Sequence, residues 1–329
     1  MNFKRFLKLA VLCMSVLIIF ACESVDEPAQ ESQVNNEAVT TEAVTTEESV
    51  DKLSVLATTP MIAEYVRQVG NDNIDLSILM PYSADPHSFE ASPQDAIKIA
   101  DADIVFYVGL KYESANLVEL LENSVASPDA LIEIGPSINP IEFSEEGHDD
   151  HEGHDDHGGG DVHVWLTPQN ATKIIKAITR DLSKAFPQNR NVYKTNARNY
   201  IKKLEKLDTE IETRLKDIKT KPYIYFHDAF QYFEKTYGLN GVGTISVEPD
   251  ESPSPKRLSE IRKKIRETNT SCVFKEPQFS DRVINAVVDQ TSARIGTLDP
   301  LGAEIDSGPD MYFTLLRNVA NNLHSCLSK

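Results

Sequence analysis

The feature that most constrains this chain is an alternation of short apolar runs with helical segments, which begins at Leu53 and resumes after residue 219. Such runs predict strands, and they lie at 53–57, 74–79, 104–108, 131–134, 223–226, 242–247 and 271–275. Helix starts lie between them. Ser92-Pro93, for example, has a capping residue followed by proline at the first helical position. This alternation predicts an α/β fold with mostly parallel sheets flanked by helices.

One helical segment is much longer than the others. From Tyr193 to Ile218, apolar residues recur at spacings of three and four, which predicts a single helix of about 26 residues and roughly 39 Å. We interpret it as a rigid connector, and a plain amphipathic surface helix is the alternative. The expected organisation is an N-terminal lobe over 51–187, a connecting helix over 188–218 and a C-terminal lobe over 219–329.

The N-terminus has the pattern of a secretion signal. Three basic residues precede an apolar stretch at 9–20, and residues 1–21 are expected to be removed. The stretch ends in Ala21-Cys22, which resembles a lipobox, so Cys22 is predicted to carry a lipid; an ordinary signal peptide that contains Cys is the alternative. Residues 22–50 repeat acidic and small residues without a basic one, which predicts a disordered tether.

The charge balance limits the possible partners. The chain has 33 basic and 51 acidic residues, a formal net charge of −18. This argues against nucleic acid or anionic lipid as a partner and suits a protein that meets cations. Contact with the membrane is therefore expected only through the lipid anchor.

Two cysteines remain beyond the signal region and the lipidation site. Cys272 and Cys326 form an even pair in an exported protein, which is compatible with a disulfide, and two buried free thiols are the alternative.

A polar segment at 144–160 has four histidines spaced by threes among acidic residues. His-rich tracts of this composition bind borderline metals, whereas an accidental polar insertion is the alternative. We predict a solvated auxiliary loop that binds zinc weakly through His148, His151, His154 and His157.

Three further histidines and one aspartate occupy strand-to-helix junctions: His87, His163, His227 and Asp299. Each histidine taken alone is more often a capping or core residue than a metal ligand. Ligands in α/β sheets gather at the carboxyl ends of strands, so the four together predict a site with three imidazoles and one carboxylate. Such a donor set suits Zn²⁺.

Four segments around these residues resemble the signature segments of the metal-binding solute-binding proteins of ABC importers. They are Asp85-Pro86-His87-Ser88-Phe89-Glu90, Asp161-Val162-His163-Val164-Trp165-Leu166, Phe226-His227-Asp228-Ala229-Phe230 and Leu298-Asp299-Pro300-Leu301-Gly302. The His-rich segment, the stretch at 272–279 and Cys326 resemble the zinc-uptake branch of that family.

The resemblance implies two α/β lobes joined by one long rigid helix, with the metal in the cleft between them. It implies that His87, His163 and His227 bind Zn²⁺ and that Cys272 and Cys326 form a disulfide. Asp299 would be the fourth ligand, a place that zinc members often give to water or a nearby carboxylate. The manganese branch commonly has Glu where this chain has His227.

The function expected from this resemblance is capture of Zn²⁺ outside the cytoplasm and delivery to an ABC permease with its ATPase subunit. The protein would be a monomer, anchored by lipid in the cell envelope at the periplasm or cell surface, and not an enzyme. A zinc-dependent hydrolase is one alternative, although the sequence has neither a His-Glu-x-x-His nor a Gly-x-Ser-x-Gly motif. A metal-binding surface adhesin of the same fold is another. Glu90 and Asp228 are expected to orient imidazole N–H groups.

Overall fold

Two parallel four-stranded sheets organise the chain. The structure, a computed structural model, describes residues 52–82, 84, 89–141, 160–246 and 253–329. The strands of the first sheet are β1 (Leu53–Ala57), β2 (Ile74–Ile78), β3 (Ile104–Tyr107) and β4 (Leu131–Glu133), in the order β2-β1-β3-β4. Those of the second are β5 (Pro222–Tyr225), β6 (Asn240–Thr244), β7 (Cys272–Lys275) and β8 (Arg294–Thr297), in the order β6-β5-β7-β8. The same order therefore occurs twice, and the predicted α/β fold with two parallel sheets is confirmed.

Strand β6 lies earlier in the chain than the apolar run at 242–247 predicted. It includes Gly241, a residue that usually weakens a strand. A Cβ atom at this position would lie 1.8 Å from an Oε1 atom of Glu234. The glycine is needed for this close approach, which an apolar pattern does not indicate.

Nine helices in the described part of the chain flank the sheets. They are α1 (Pro60–Gly70), α2 (Pro93–Ala100), α3 (Ala115–Ser124), α4 (Pro168–Ala185), α5 (Arg190–Leu215), α6 (Gln231–Tyr237), α7 (Pro255–Glu267), α8 (Asp281–Val288) and α9 (Met311–Leu327). Helices α1, α2, α4 and α7 each begin with Ser or Thr followed by Pro, the start pattern identified in the sequence. None of the helices in the described ranges is long and apolar enough to cross a membrane.

The core has one shared layer and two outer layers. In β1, Val55 and Ala57 point into the shared layer, and Leu56 points to the outer side of its sheet. In β5, Tyr223 points into the same shared layer while Ile224 points to the outer side of the second sheet. Side chains from both sheets thus belong to one continuous apolar cluster, which joins the two lobes.

The long helix α5 is packed along one face rather than isolated. It contacts α1 and α4 of the N-terminal lobe and also α9, the last helix of the chain. Tyr200 and Leu204, midway along α5, are buried in the shared layer. The indole Nε1 of Trp165 also donates to the carbonyl of Pro300 at 2.8 Å, so the lobes are linked by contacts beyond the connecting helix.

The predicted disulfide is present. Cys272 at the start of β7 is bonded to Cys326 near the end of α9. The bond fastens the C-terminal helix to the second sheet.

Candidate metal centre

His163 lies in the loop that leads into α4. Thr167 caps this helix, because its hydroxyl accepts a hydrogen bond from the N–H of Asn170 at 3.2 Å, and Pro168 starts the helix. The loop is therefore held by the helix start four residues later. The His163 side chain is almost fully buried.

His227 lies two residues after the end of β5, and Glu276 comes directly after β7. These two strands are paired in parallel, so their carboxyl ends meet at one edge of the second sheet. The register places the two side chains side by side although they are 49 residues apart in the chain.

A single carboxylate oxygen holds each histidine in the same manner. Asp161 Oδ1 accepts hydrogen bonds from both the backbone N–H and the Nδ1 of His163, each at 2.9 Å. Glu276 Oε1 accepts from the backbone N–H of His227 at 3.3 Å and from its Nδ1 at 2.7 Å. The carboxylates thus place the ring proton on Nδ1 and leave the lone pair of each neutral imidazole on Nε2.

The two rings face each other across the boundary between the lobes. The Nε2 atoms of His163 and His227 are 3.2 Å apart. Two lone pairs at this distance repel each other unless a cation lies between them, whether a proton or a metal ion. With Zn–N bonds of about 2.05 Å, a separation of 3.2 Å gives an N–Zn–N angle of about 103°, close to the tetrahedral value.

Aromatic side chains surround the pair. The rings of Tyr112 and Trp165 pack edge-on against His163, and Phe279 packs edge-on against His227. Trp165 is completely buried. This packing fixes the ring planes and lowers the local dielectric constant, which strengthens electrostatic interactions at the facing nitrogens.

Carboxylates are concentrated behind the histidines. Burial raises the pKa of Asp161 well above its ordinary range; the hydrogen bond from the His163 N–H opposes this shift, and Asp228 and Glu234 add to it. Burial likewise raises the pKa of Glu234 to about 7, although the hydroxyls of Tyr223 and Tyr225 donate to it. Such clustering favours a cation at the centre.

Asp299 makes a different set of contacts. Its Oδ1 atom accepts from the N–H groups of Leu301 and Gly302 and from Nε2 of Gln278. It therefore stabilises the turn after β8. Among the described residues, no three His, Cys, Asp or Glu side chains form a group that could hold a metal ion, so the centre consists there of the pair His163 and His227.

Several sequence-predicted residues lie outside the described ranges: His87, the lipidation site Cys22 and the auxiliary loop histidines His148, His151, His154 and His157.

The orienting carboxylates for the two described histidines are not those expected from sequence. Glu90 is exposed, and Asp228 accepts hydrogen bonds from Tyr225 and Gln231. Asp161 could have been found from its position two residues before His163. Glu276 could be found only by knowing that β5 and β7 are neighbours, because nothing in the local sequence joins it to His227.

Comparison with known proteins gives concordant matches. The model of the family described as zinc-uptake complex component A, periplasmic, matches residues 55–326. A protein of Brucella suis biovar 1 named high-affinity zinc uptake system protein ZnuA is 45% identical over 168 residues, which cover 51% of this chain and 50% of the relative. The chain thus spans about half the length of that relative.

A Yersinia pestis protein of the same name is 36% identical over 273 residues, covering 76% of this chain and 83% of the relative. A crystal structure of ZnuA superposes with a TM-score of 0.72 at 26% identity, covering 84% of this chain and all of that structure.

Proposed function

This chain belongs to the family of periplasmic component A of zinc-uptake complexes, and on that premise we propose that it captures Zn²⁺ outside the cytoplasm for import. It would deliver the ion to an ABC permease that works with an ATPase subunit. The names of the relatives refer to zinc uptake, so a zinc-dependent hydrolase and a surface adhesin are not favoured.

The observation that carries this proposal is the pair of facing Nε2 atoms, one from each lobe, 3.2 Å apart. Each ring is held by a carboxylate that accepts from its Nδ1, the arrangement that commonly orients zinc-binding imidazoles and raises their basicity. We infer that Zn²⁺ lies between His163 and His227. His87 is proposed as the third ligand, and Asp299 or water as the fourth.

The donor set favours zinc over manganese. Imidazole nitrogens suit Zn²⁺, and affinity for such sites rises along the series from Mn²⁺ towards Cu²⁺, with Zn²⁺ well above Mn²⁺. The carboxylates behind the rings compensate the charge of the ion without binding it. The histidines at 148–157 are proposed to bind additional zinc more weakly, and Cys22 to anchor the protein by lipid in the cell envelope as a monomer.

Metal competition tests the binding step. The chain from residue 22 onward should bind one Zn²⁺ much more tightly than Mn²⁺ in a chelator titration. His163→Ala and His227→Ala should each lower zinc affinity at least about tenfold because each removes a bond to the metal. His324→Ala, on α9, is the matched control and should leave the affinity unchanged. Tighter binding of Mn²⁺, or equal losses in all three variants, would refute the assignment.

Uptake tests the transport step. Cells that lack the protein should accumulate zinc slowly from chelator-treated medium, and the wild-type chain should restore uptake. His227→Ala should not restore it, whereas His324→Ala should. Full uptake with His227→Ala would contradict a role for this site in import.

A further inference from the structure

The acidic residues of this chain are unevenly distributed. Of its 51 acidic residues, 9 lie within residues 23–51 and 8 within 142–159, and neither stretch contains Lys or Arg. Beyond the signal region, the rest of the chain therefore has 34 acidic and 30 basic residues. The overall charge of −18 gives no information about the sign of individual surfaces on the folded part.

One surface, formed by α4 of the N-terminal lobe and by the connecting helix α5, is strongly basic. Residues 173–206, which form most of α4 and the first two thirds of α5, include ten basic residues and two acidic ones. All ten basic side chains are exposed: Lys173, Lys176, Arg180, Lys184, Arg190, Lys194, Arg198, Lys202, Lys203 and Lys206. One of the two acids, Asp181, is buried and pairs with Arg180. We call these ten side chains the basic face.

The basic residues of α5 follow a strict spacing. Those at 190, 194, 198, 202 and 206 are each four residues apart, which places them in one row about 24 Å long on the helix surface. None of the five forms an ion pair with a carboxylate in the described ranges. Because like charges at this spacing destabilise a helix, an external anionic surface would offset the repulsion.

A groove lies between the two helices that form this face. It has a volume of about 500 Å³, and its walls include Lys176 of α4 and Lys194 and Arg198 of α5. Ile201 of α5, a partly buried aliphatic residue, also lines the groove. Cations around a groove that has an aliphatic side chain in its wall fit a lipid headgroup region, where both charge and apolar contact are available.

The basic face lies next to helix α1, which contacts both α4 and α5. The side-chain amide of Asn196 donates to the carbonyl of Val69, at the end of α1, at 2.9 Å. The chain then enters β2 at Ile74, which pairs with Leu53, the first residue of β1. The first described strand therefore lies close to the end of α1 that contacts α5. Cys22, the predicted lipid attachment site, precedes this strand in the sequence.

We propose that the basic face docks on anionic phospholipid headgroups of the membrane that would hold a lipid at Cys22, an inference that rests on the lipid anchor in the proposed function. His163 and His227 are not among the residues of the basic face, so docking through this face does not use the residues proposed to bind zinc. The cations of the basic face dominate the electrostatic interaction with a nearby headgroup, because salt screens the acidic residues that lie more than about 8 Å away.

Vesicle binding tests the proposal. The chain from residue 22 onward, with Cys22→Ser so that no acyl chain is attached, is mixed with vesicles of phosphatidylcholine alone or with about one third phosphatidylglycerol. Binding is expected only to the anionic vesicles and should weaken as salt is raised. The triple variant Lys194→Glu, Arg198→Glu, Lys202→Glu should lower the partition coefficient at least about tenfold.

A second triple variant has the same net charge. Lys256→Glu, Lys263→Glu, Arg266→Glu reverses three exposed cations on α7 and should change the partition coefficient less than about twofold. Equal losses in the two variants, or no preference for anionic vesicles, would overturn the proposal. Binding that appears only after residues 23–51 are removed would identify that acidic segment as the occupant of the groove and would also overturn it.

Discussion

The two lobes hold their histidines with the same hydrogen bonds but through different chain connections. In the N-terminal lobe, Asp161 lies two residues before His163, so one short loop provides both groups. In the C-terminal lobe, Glu276 reaches His227 from a neighbouring strand. The first arrangement depends on a loop conformation, whereas the second depends on the pairing of β5 with β7. The comparison teaches that one ring orientation can be stabilised locally or by the register of a sheet.

The lobes also differ in covalent cross-linking. Only the C-terminal lobe has a disulfide among the described residues, Cys272–Cys326, and it closes a loop with a sequence separation of 54. Cys272→Ala with Cys326→Ala should lower the free energy of unfolding by about 4 kcal/mol, since the unfolded chain gains loop entropy. Denaturant titration measures this, with Ser325→Ala as the control. In the double variant, hydrogen exchange should become faster in β7 and α9 before it becomes faster in β1. An equal increase in all three elements would contradict a stabilising effect of the disulfide that is confined to the C-terminal lobe.

Removing the charge of Asp161 or of Glu276, the carboxylates that hold His163 and His227, compares the two lobes directly. Asp161→Asn and Glu276→Gln should each lower zinc affinity by about 10- to 100-fold, because a neutral amide holds the imidazole less firmly and makes it less basic. Glu276→Gln should in addition weaken the contact between the ends of β5 and β7. Calorimetric titration with Asp289→Asn as a control measures the affinities. Unchanged zinc affinity in both Asp161→Asn and Glu276→Gln would show that these carboxylates do not act on the metal through the imidazole rings.

Glu234, which accepts hydrogen bonds from the hydroxyls of Tyr223 and Tyr225, makes the stability depend on pH. Burial raises its pKa from 4.5 to about 7, so the folded protein binds its proton more tightly than the unfolded chain does. Its contribution to stability is present in full below about pH 4.5 and is lost as the pH rises through about 7. Glu234→Gln should remove this dependence, on the order of 2 kcal/mol for a partly exposed side chain. Melting curves of metal-free protein from pH 5 to 8 measure it. A slope unchanged from that of wild type would exclude Glu234 as its source.

Substitution of Asp299 is expected to have the smallest effect on stability and zinc affinity. Asp299→Ala removes the acceptor for Leu301 and Gly302 and should lower the free energy of unfolding by about 1 kcal/mol. Zinc affinity should fall only a few-fold if water can take the fourth position. Asp306→Ala, later in the same loop, is the control. A loss as large as that of His227→Ala would make Asp299 an essential ligand.

Much of this architecture could be predicted from sequence because its causes are local. The spacing of Tyr193, Tyr200 and Leu207 predicts a long helix, and α5 runs from Arg190 to Leu215. Strand β6 shows where local pattern is insufficient, since Gly241 is placed by the approach of Glu234 from α6.

The residues of the site likewise differ in whether the local sequence indicates them. His163 stands out because it lies just before a helix start, and His227 because it lies between a strand and a helix. Asp161 is close enough in sequence to His163 to be noticed. The contact of Glu276 with His227 depends on the pairing of β5 with β7, which the local sequence does not indicate. The basic row on α5 cannot be inferred from the net charge of the whole chain, which is −18.

Anomalous diffraction at the zinc edge from crystals of the zinc-loaded protein tests the central claim most directly. The account predicts one strong peak between the lobes, about 2.0 to 2.1 Å from Nε2 of both His163 and His227, with the Nδ1 atoms still bonded to Asp161 and Glu276. A strongest peak elsewhere, or one bonded to only one of these two histidines, would contradict it.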